Sequence, residues 1–339
     1  MEAYQPTTCE AQQDLVRFLT SLYGSNSNFD FFLSEYQKAY DYCCTSTHIT
    51  FLPLAYCSEG RMLAHVALII DDRLPEHEAF FGFFEVVDDR QVFETLWEAL
   101  TAIARTHGCR LLKGPVQGSI WHQYRCIAES SSVPFVKTEP MTPSYYYDFL
   151  LDAQPTKEIT YSSGIRESFT DIRNALQKQK DTITEQLSAG GFAIEITREV
   201  SMETLVAIAG LSATVFDEKS WGYTKLDTAE FLQLYDLEKV QALLHKLFLL
   251  RHGDTLVGYC STMKEGNTFI CKTICIASPY QGKGLGTALA LAIHEEAAKE
   301  GAQAIMYVLV RDGNQVHNYH TSDVKIFRTY AVFEYTLNA

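Results

Sequence analysis

The sequence lacks the features that mark several specialised classes of protein. It has no Cys-x-x-Cys pair, and its nine cysteines form an odd set without the spacing of a disulfide framework. Glycine (19 residues) and proline (9 residues) are not enriched, and no low-complexity tract or apolar run of membrane-spanning length occurs. The composition, 47% hydrophobic and 21% charged over 339 residues, therefore predicts a globular chain with room for two ordinary domains.

Basic residues are also scarce. There are 28 Lys and Arg residues against 42 Asp and Glu, a net charge of −14. Such a charge repels nucleic-acid phosphates and anionic lipid and mildly attracts cationic small molecules or peptides, so we expect no nucleic-acid and no membrane partner. The first ten residues lack the basic and apolar regions of a secretory signal, and the cysteine pattern is typical of a reducing compartment. We therefore expect a cytoplasmic location.

A coarse internal duplication organises the chain. Each half contains a strand, a helix ended by glycine and a second strand, predicted at 80–87, 91–106 and 109–112 in the first half and at 268–276, from 284, and at 304–310 in the second. This order is typical of a crossover between parallel strands. Further strands are predicted at 192–197, 246–251, 255–263 and 326–337, and helices are predicted after the capping residues Ser201 and Asp227.

The predicted fold class is α/β, with a mixed, mostly antiparallel sheet flanked by helices in each half. A polar helix at about 169–187 has little apolar face and is interpreted as a connector. The predicted domain limits are 1–155 for the first domain, 156–190 for a helical connector, and 191–339 for the second domain.

A glycine-rich turn opens the helix of the second half. It reads Gln281-Gly282-Lys283-Gly284-Leu285-Gly286 and directly follows a predicted strand. Glycines at a helix start leave no Cβ in the way of a ligand, and the free N–H groups and the helix dipole favour an anion such as phosphate. The spacing fits neither the dinucleotide fingerprint, because Thr287 follows the last glycine, nor the P-loop, because Gly284 follows Lys283. The alternative is a tight strand–helix connection without a ligand.

With its flanking strands, this Q-x-x-G-x-G run resembles the GNAT superfamily of N-acetyltransferases over residues 190–337. The resemblance implies acetyl-CoA or another acyl-CoA as co-substrate. It places pantetheine along the strand edge at Ile274, Cys275 and Ile276, and the pyrophosphate on a loop made of Gln281, Gly282, Lys283, Gly284, Leu285, Gly286 and Thr287. Asn314 matches the asparagine that often lies near the pantetheine arm, although it is equally an ordinary turn former beside Gly313.

The resemblance also implies direct attack of a neutral amine on the thioester in a ternary complex. A backbone N–H near Cys275 is expected to be the oxyanion donor. Tyr319 is the candidate general acid, although the family's usual position is Thr321 here. No obvious base is present, since Lys272 stands where relatives often have Glu. The acceptor pocket is expected to involve the loop residues Asp217, Glu218, Trp221 and Tyr223, whose alternative role is purely structural.

The first half resembles the noncatalytic half of tandem GNAT-like proteins through Gly114–Ser119, Pro140 and Pro143–Tyr146. Asp88 and Asp89 are predicted to cap its matching helix, where two carboxylates satisfy the helix dipole and repel a pyrophosphate. We therefore expect two GNAT-like domains, of which only the second binds acyl-CoA. No metal site is expected, because His317 and His320 have no carboxylate or cysteine at ligand spacing.

The predicted function is an N-acyltransferase whose acceptor is an amine on a small molecule, a peptide or a protein. Transfer from aminoacyl-tRNA is a second possibility, which the phosphate loop and the acidic charge disfavour. A noncatalytic acyl-CoA sensor or scaffold is the third, and the missing base favours it.

Overall fold

The computed structural model describes residues 9–216, 220–313 and 323–338. The chain divides into two compact units. The first comprises the described residues of Met1–Ser162, Trp221–Thr224 and Phe327–Ala339, and the second those of Ser163–Ser220 and Lys225–Ile326. Within the described residues, no helix combines the length and the apolarity needed to cross a membrane.

The first unit begins with two helices and continues as a sheet. Its elements are α1 (Cys9–Tyr23), α2 (Phe29–Thr45), β1 (Ile49–Ser58), β2 (Arg61–Asp71), β3 (Glu78–Val86), α3 (Arg90–Thr106), β4 (Leu111–Gly114), β5 (Cys126–Ser130), α4 (Tyr145–Asp152) and the first residues of β6 (Lys157–Arg166). Strands β1, β2 and β3 pair antiparallel, and β4 runs parallel to β3.

Helix α3 packs its apolar face into the core of the first unit. Phe93, Leu96 and Leu100 are buried there, with the three- and four-residue spacing of one helix face. The helix begins after Asp89, whose carboxylate accepts hydrogen bonds from the N–H groups of Gln91 and Val92. The capping role predicted at this position is confirmed.

The second unit repeats this order of elements with an added strand. After the end of β6 come α5 (Thr170–Gln177), α6 (Lys180–Ala189), β7 (Phe192–Thr197), α7 (Met202–Val215), α8 (Thr228–Leu234), α9 (Leu237–Leu243), β8 (Lys246–His252), β9 (Thr255–Glu265), β10 (Thr268–Ile276), α10 (Leu285–Lys299) and β11 (Ala304–Arg311). Strands β7 to β10 pair antiparallel in sequence order, and β11 runs parallel to β10. The predicted fold class, a mixed and mostly antiparallel sheet flanked by helices, is confirmed.

The compact units have different limits from the predicted domains. The segment predicted to be a helical connector, 156–190, begins with strand β6 and continues with two short helices instead of one. The last strand, β12 (Lys325–Thr336), lies from Phe327 onward in the first unit, although 191–339 were predicted to form the second domain. There it pairs antiparallel with β4 and β5. These pairings join residues about two hundred positions apart, which local periodicity does not reveal.

Candidate functional site

Strands β10 and β11 pair only over their first residues. Thr268–Cys271 lie opposite Ala304–Tyr307, and among the described residues the parallel pairing ends there. At the same point the register of β10 against β9 shifts, because Cys271 pairs with Thr262 and Thr273 pairs with Ser261, which leaves Lys272 as an extra residue. The edge of β10 that faces β11 is therefore open beyond Cys271.

The open edge carries the backbone groups of alternate residues. The N–H of Ala277 donates to Val257 O at 2.9 Å, so Ala277 points toward β9. The backbone groups of successive strand residues point to opposite edges. The N–H and C=O groups of Cys275 therefore also point toward β9, and those of Ile274 and Ile276 point to the open edge. A Cβ built on Gly258 would lie 2.9 Å from Cys275 O, which agrees with this assignment.

The side chains of Cys275 and Ile274 differ in their exposure to solvent. Cys275 is 3% exposed, and burial raises the pKa of its thiol to about 12, so the thiol is a core group. Ile274 is 39% exposed, which is unusual for a large apolar side chain in a strand. Ile274 therefore offers both an apolar surface and a free backbone edge.

The glycine-rich turn begins helix α10. A short 3-10 turn, Ser278–Tyr280, follows β10. Gly284 is the N-cap and has φ +75°, and Gly282 also has φ +75°, a left-handed conformation that favours glycine. Because Gly284 has no side chain to cap the helix, the N–H groups of the first turn are not satisfied by a cap.

Neighbouring side chains lie close to Gly284 and Gly286. A Cβ at Gly284 would lie 3.3 Å from Oε1 of Gln186, and a Cβ at Gly286 would lie 3.7 Å from Cδ1 of Ile276. Gln281 braces the turn, because its Nε2 donates to Ile276 O at 2.8 Å. The exposed Lys283 holds its Nζ 5.2 Å from the centroid of the Tyr280 ring, so a positive charge lies beside the helix start.

The structure brings most of the predicted cofactor residues together. Residues 274–276 form the end of β10, and 281–287 form the turn and the first residues of α10. Asn314, Tyr319, Asp217, Glu218 and the pair His317 and His320 lie outside the described residues. Trp221 and Tyr223 lie in the first unit, where Trp221 is buried against Phe80 and Tyr124.

The second unit contains two sets of buried, hydrogen-bonded polar side chains that the sequence did not predict. The hydroxyl of Tyr259 on β9 lies 3.2 Å from Oγ of Ser212 on α7, and burial raises the pKa of Tyr259. In the other, the hydroxyl of Tyr307 lies 2.9 Å from Nε2 of His294 and accepts from Arg166 at 3.0 Å. Tyr307 is the last β11 residue paired with β10, so this buried network stands where the strands separate. A tyrosine in a strand and a histidine on a helix gave no local signal.

The matching place in the first unit is built differently. Beyond the paired residues Glu78–Phe80, the N–H of Val116 donates to Phe81 O at 2.9 Å, and a Cβ at Gly82 would lie 1.8 Å from Val116 O. The segment after β4 therefore covers the edge of β3. At the start of α3, Asp89 occupies the N–H groups that would bind an anion. Both features of the second unit, the open strand edge and the helix start without a side-chain cap, are thus altered in the first unit.

These geometries agree with the comparison with known families. Residues 212–321 match the model of the acetyltransferase (GNAT) family. This segment is a GNAT domain. The match covers less than half of the chain, and it includes β8 to β11 and the glycine-rich turn. No curated protein matches the sequence.

Solved structures show the same fold across both units. A tandem GNAT protein from the clavulanic acid biosynthesis pathway, solved without AcCoA, is 13% identical, with a TM-score of 0.50 over 87% of this chain and 85% of that chain. A probable N-acyltransferase from Enterococcus faecalis is 8% identical, with a TM-score of 0.58 over 97% and 70%. At these identities the likeness shows the fold alone. The predicted resemblance to tandem GNAT proteins is confirmed at that level.

Proposed function

We propose that the GNAT domain is an N-acyltransferase that moves an acetyl or longer acyl group from acyl-CoA to an amine. One observation carries the proposal: a left-handed glycine cap at Gly284, without a capping side chain, stands beside the open edge of β10. Such a cap presents backbone N–H groups to an anion, and an open edge presents backbone groups to an extended amide chain.

The chain fits an acyl-CoA co-substrate in two places. The N–H groups that follow Gly284, with Lys283 nearby, would hold the pyrophosphate, and the remaining predicted loop residues would line it. The C=O of Ile274 would accept a hydrogen bond from an amide N–H of pantetheine. The carbonyl of Ile276 is already engaged by Gln281, so its N–H is the group left to contribute. Asn314 remains a proposed contact to the pantetheine arm.

Bound acyl-CoA would supply an activated thioester, and the chain would supply the groups around it. The amide of Ile274 is the proposed oxyanion donor, because the amide of Cys275 points toward β9. Tyr319 remains the proposed acid for the leaving thiolate. The acceptor class is an amine on a small molecule, a peptide or a protein, in keeping with the acidic net charge. The cytoplasmic location also remains a prediction from the cysteine pattern.

The proposal is tested by titrating acetyl-CoA into the full chain and into Gly284→Glu. The added carboxylate would occupy the anion position and repel the pyrophosphate, so we expect affinity to fall by at least about tenfold, the equivalent of roughly 1.4 kcal/mol. Gly301→Glu is the matched control. Gly301 follows the end of α10, has φ +69° and has open space around it, so the change brings similar backbone strain without affecting the turn.

The readouts separate binding from catalysis. Calorimetry measures binding, and thiol release with a panel of amines measures transfer. Equal affinities for Gly284→Glu and Gly301→Glu would refute the site. Binding without thiol release for any amine would favour the noncatalytic sensor.

A further inference from the structure

Helix α6 lies against helix α10 in the second unit. Ile183 of α6 packs with Ala288 and Leu291 of α10. Nζ of Lys180, at the start of α6, lies 2.8 Å from Oε1 of Glu295, in the second half of α10. These contacts run in opposite directions along the two helices, so the later residues of α6 approach the start of α10.

Gln186, a later residue of α6, reaches the glycine-rich turn. Its Oε1 lies 3.3 Å from the position of a Cβ at Gly284, the N-cap of α10. Within the part of the chain that the structure describes, no hydrogen bond engages the side-chain amide of Gln186. A primary amide carries an acceptor oxygen and a nitrogen with two donor hydrogens. This side chain therefore brings available hydrogen-bonding groups to the start of α10.

The place of Gln186 is not explained by packing or by bracing of the turn. The residue is exposed, and it takes no part in the apolar contact between α6 and α10. Gln281 already braces the turn through its bond to Ile276 O. Gln186 also differs from Asp89 in the first unit, whose carboxylate occupies the N–H groups of its helix. The amide beside Gly284 leaves those groups uncapped and, being neutral, does not repel an anion.

We propose that Gln186 binds the pyrophosphate of the coenzyme, which makes α6 a wall of the donor site. This inference rests on the proposed function of the GNAT domain. Rotation of the amide about its last bond exchanges Oε1 with Nε2, which then donates to a phosphate oxygen held by the N–H groups that follow Gly284. The pyrophosphate is thus bound from two sides, by the start of α10 and by a side chain of α6.

The contact comes from outside the family segment. The match to the acetyltransferase (GNAT) family begins at residue 212, whereas α6 ends at Ala189. The segment interpreted from the sequence as a connector therefore acquires a part in donor binding. Because Gln186 contacts only the pyrophosphate, it contributes nothing to a donor that lacks phosphate, such as acetylpantetheine.

The test is calorimetric titration of acetyl-CoA into the full chain and into variants on α6. Gln186→Ala removes the amide and should weaken binding about threefold to tenfold, the usual contribution of one hydrogen bond. Gln186→Glu places a carboxylate beside the pyrophosphate and should weaken binding at least about tenfold. Ser188→Glu is the matched control, because Ser188 is exposed near the same helix end and lies about 200° around the helix from Gln186. Its affinity should equal that of the wild type.

A second ligand separates binding from a structural role. Acetylpantetheine carries the thioester and the pantetheine arm without the pyrophosphate, and its competition against acetyl-CoA gives its affinity for each variant. We expect that affinity to be the same in the wild type, in Gln186→Ala and in Gln186→Glu. Thermal unfolding without ligand should also be unchanged in Gln186→Ala, because the side chain is exposed.

The outcomes distinguish this inference from the proposed function. Unchanged or tighter acetyl-CoA binding by Gln186→Ala would overturn the inference and leave the proposed function standing. An equal loss of affinity for acetylpantetheine would also overturn it, because the side chain would then act on the fold or on the arm. Failure of the wild-type chain to bind acetyl-CoA would refute the proposed function itself.

Discussion

Gly284 and Gly286 belong to the same turn, yet only Gly284 depends on glycine for its backbone. Gly284 is left-handed at φ +75°, whereas Gly286 lies in the first turn of α10 without a positive φ. A side chain at Gly284 therefore brings both strain and bulk, and one at Gly286 brings bulk alone. The two positions allow backbone effects to be separated from effects on a ligand.

We predict that Gly286→Ala raises stability while it weakens acetyl-CoA binding. Alanine in place of helical glycine contributes about 0.5–1 kcal/mol, and the new methyl group meets only Ile276 at an ordinary contact distance of 3.7 Å. The same methyl group would stand where the pyrophosphate approaches the backbone. Urea unfolding and calorimetry on one preparation measure both effects, and unchanged affinity would contradict the proposed position of the phosphate.

Local chemistry explains which single residues the sequence predicted. Asp89, Ser201 and Asp227 were predicted as helix caps, and each accepts a hydrogen bond from the helix that follows it. Capping depends on neighbours two or three positions away, so sequence spacing is sufficient. Gln186 was not singled out, because its neighbour Gly284 lies far along the chain.

At the scale of elements, the end of α10 is held by a cluster of charges around Glu300. Its carboxylate pairs with Lys246 at 2.6 Å, Arg198 at 2.7 Å, His245 at 2.8 Å and Lys264 at 3.0 Å. Burial alone would raise the pKa of Glu300, but these hydrogen bonds outweigh it and lower the pKa. The cluster joins the helix to the strands β8 and β9 beneath it.

A lowered pKa makes this contribution dependent on pH. The stabilisation is present above the unfolded-state pKa of about 4.3 and is lost as the pH falls toward the folded-state value. We predict that Glu300→Gln costs about 2 kcal/mol at pH 7 and much less at pH 3, measured by urea unfolding. Glu295→Gln is the control on the same helix, because the partly exposed pair of Glu295 with Lys180 should cost under about 1 kcal/mol. Equal costs at the two pH values would show that Glu300 acts by packing.

Elements were predicted best where a strand or helix is bounded by local signals. The predicted strands 192–197 and 268–276 match β7 and β10 at both ends, and a turn that contains glycine precedes each of them. Strand β6 was not predicted, because it lies inside the segment interpreted as a connector from its polar helix, and Tyr161-Ser162-Ser163-Gly164 has no apolar alternation. Ser162 and Ser163 are nonetheless buried there, and Ser163 accepts from the N–H of Leu309. This segment forms a strand because of its tertiary contacts, which residue propensities do not reflect.

At the scale of the whole molecule, β12 supplies a buried ion pair to the first unit. The Arg328 guanidinium donates to the Glu139 carboxylate, which also accepts from the Tyr330 hydroxyl at 2.5 Å and the Val136 N–H at 3.1 Å. Both charged residues are 1% exposed. Removing one partner of such a pair leaves the other charge buried and unpaired.

We predict that Arg328→Met lowers the free energy of unfolding by about 3–5 kcal/mol, because Glu139 loses its cation. Adding Glu139→Gln to this variant should restore part of the loss, since the buried charge is then removed. Fluorescence of Trp97, in the core of the first unit, is the readout during urea unfolding. Lys157→Met, which breaks an exposed pair with Glu334, should cost under about 1 kcal/mol, and a similar cost for Arg328→Met would contradict the prediction.

The place of β12 in the first unit also sets an order of events during synthesis. Ala331, Phe333, Tyr335 and Leu337 belong to the core of that unit, yet they leave the ribosome after every other strand has been made. A nascent chain usually folds its earliest domain first. Here the earliest domain keeps a gap in its sheet until translation has passed residue 337, so its core is completed only after the second unit has been synthesised.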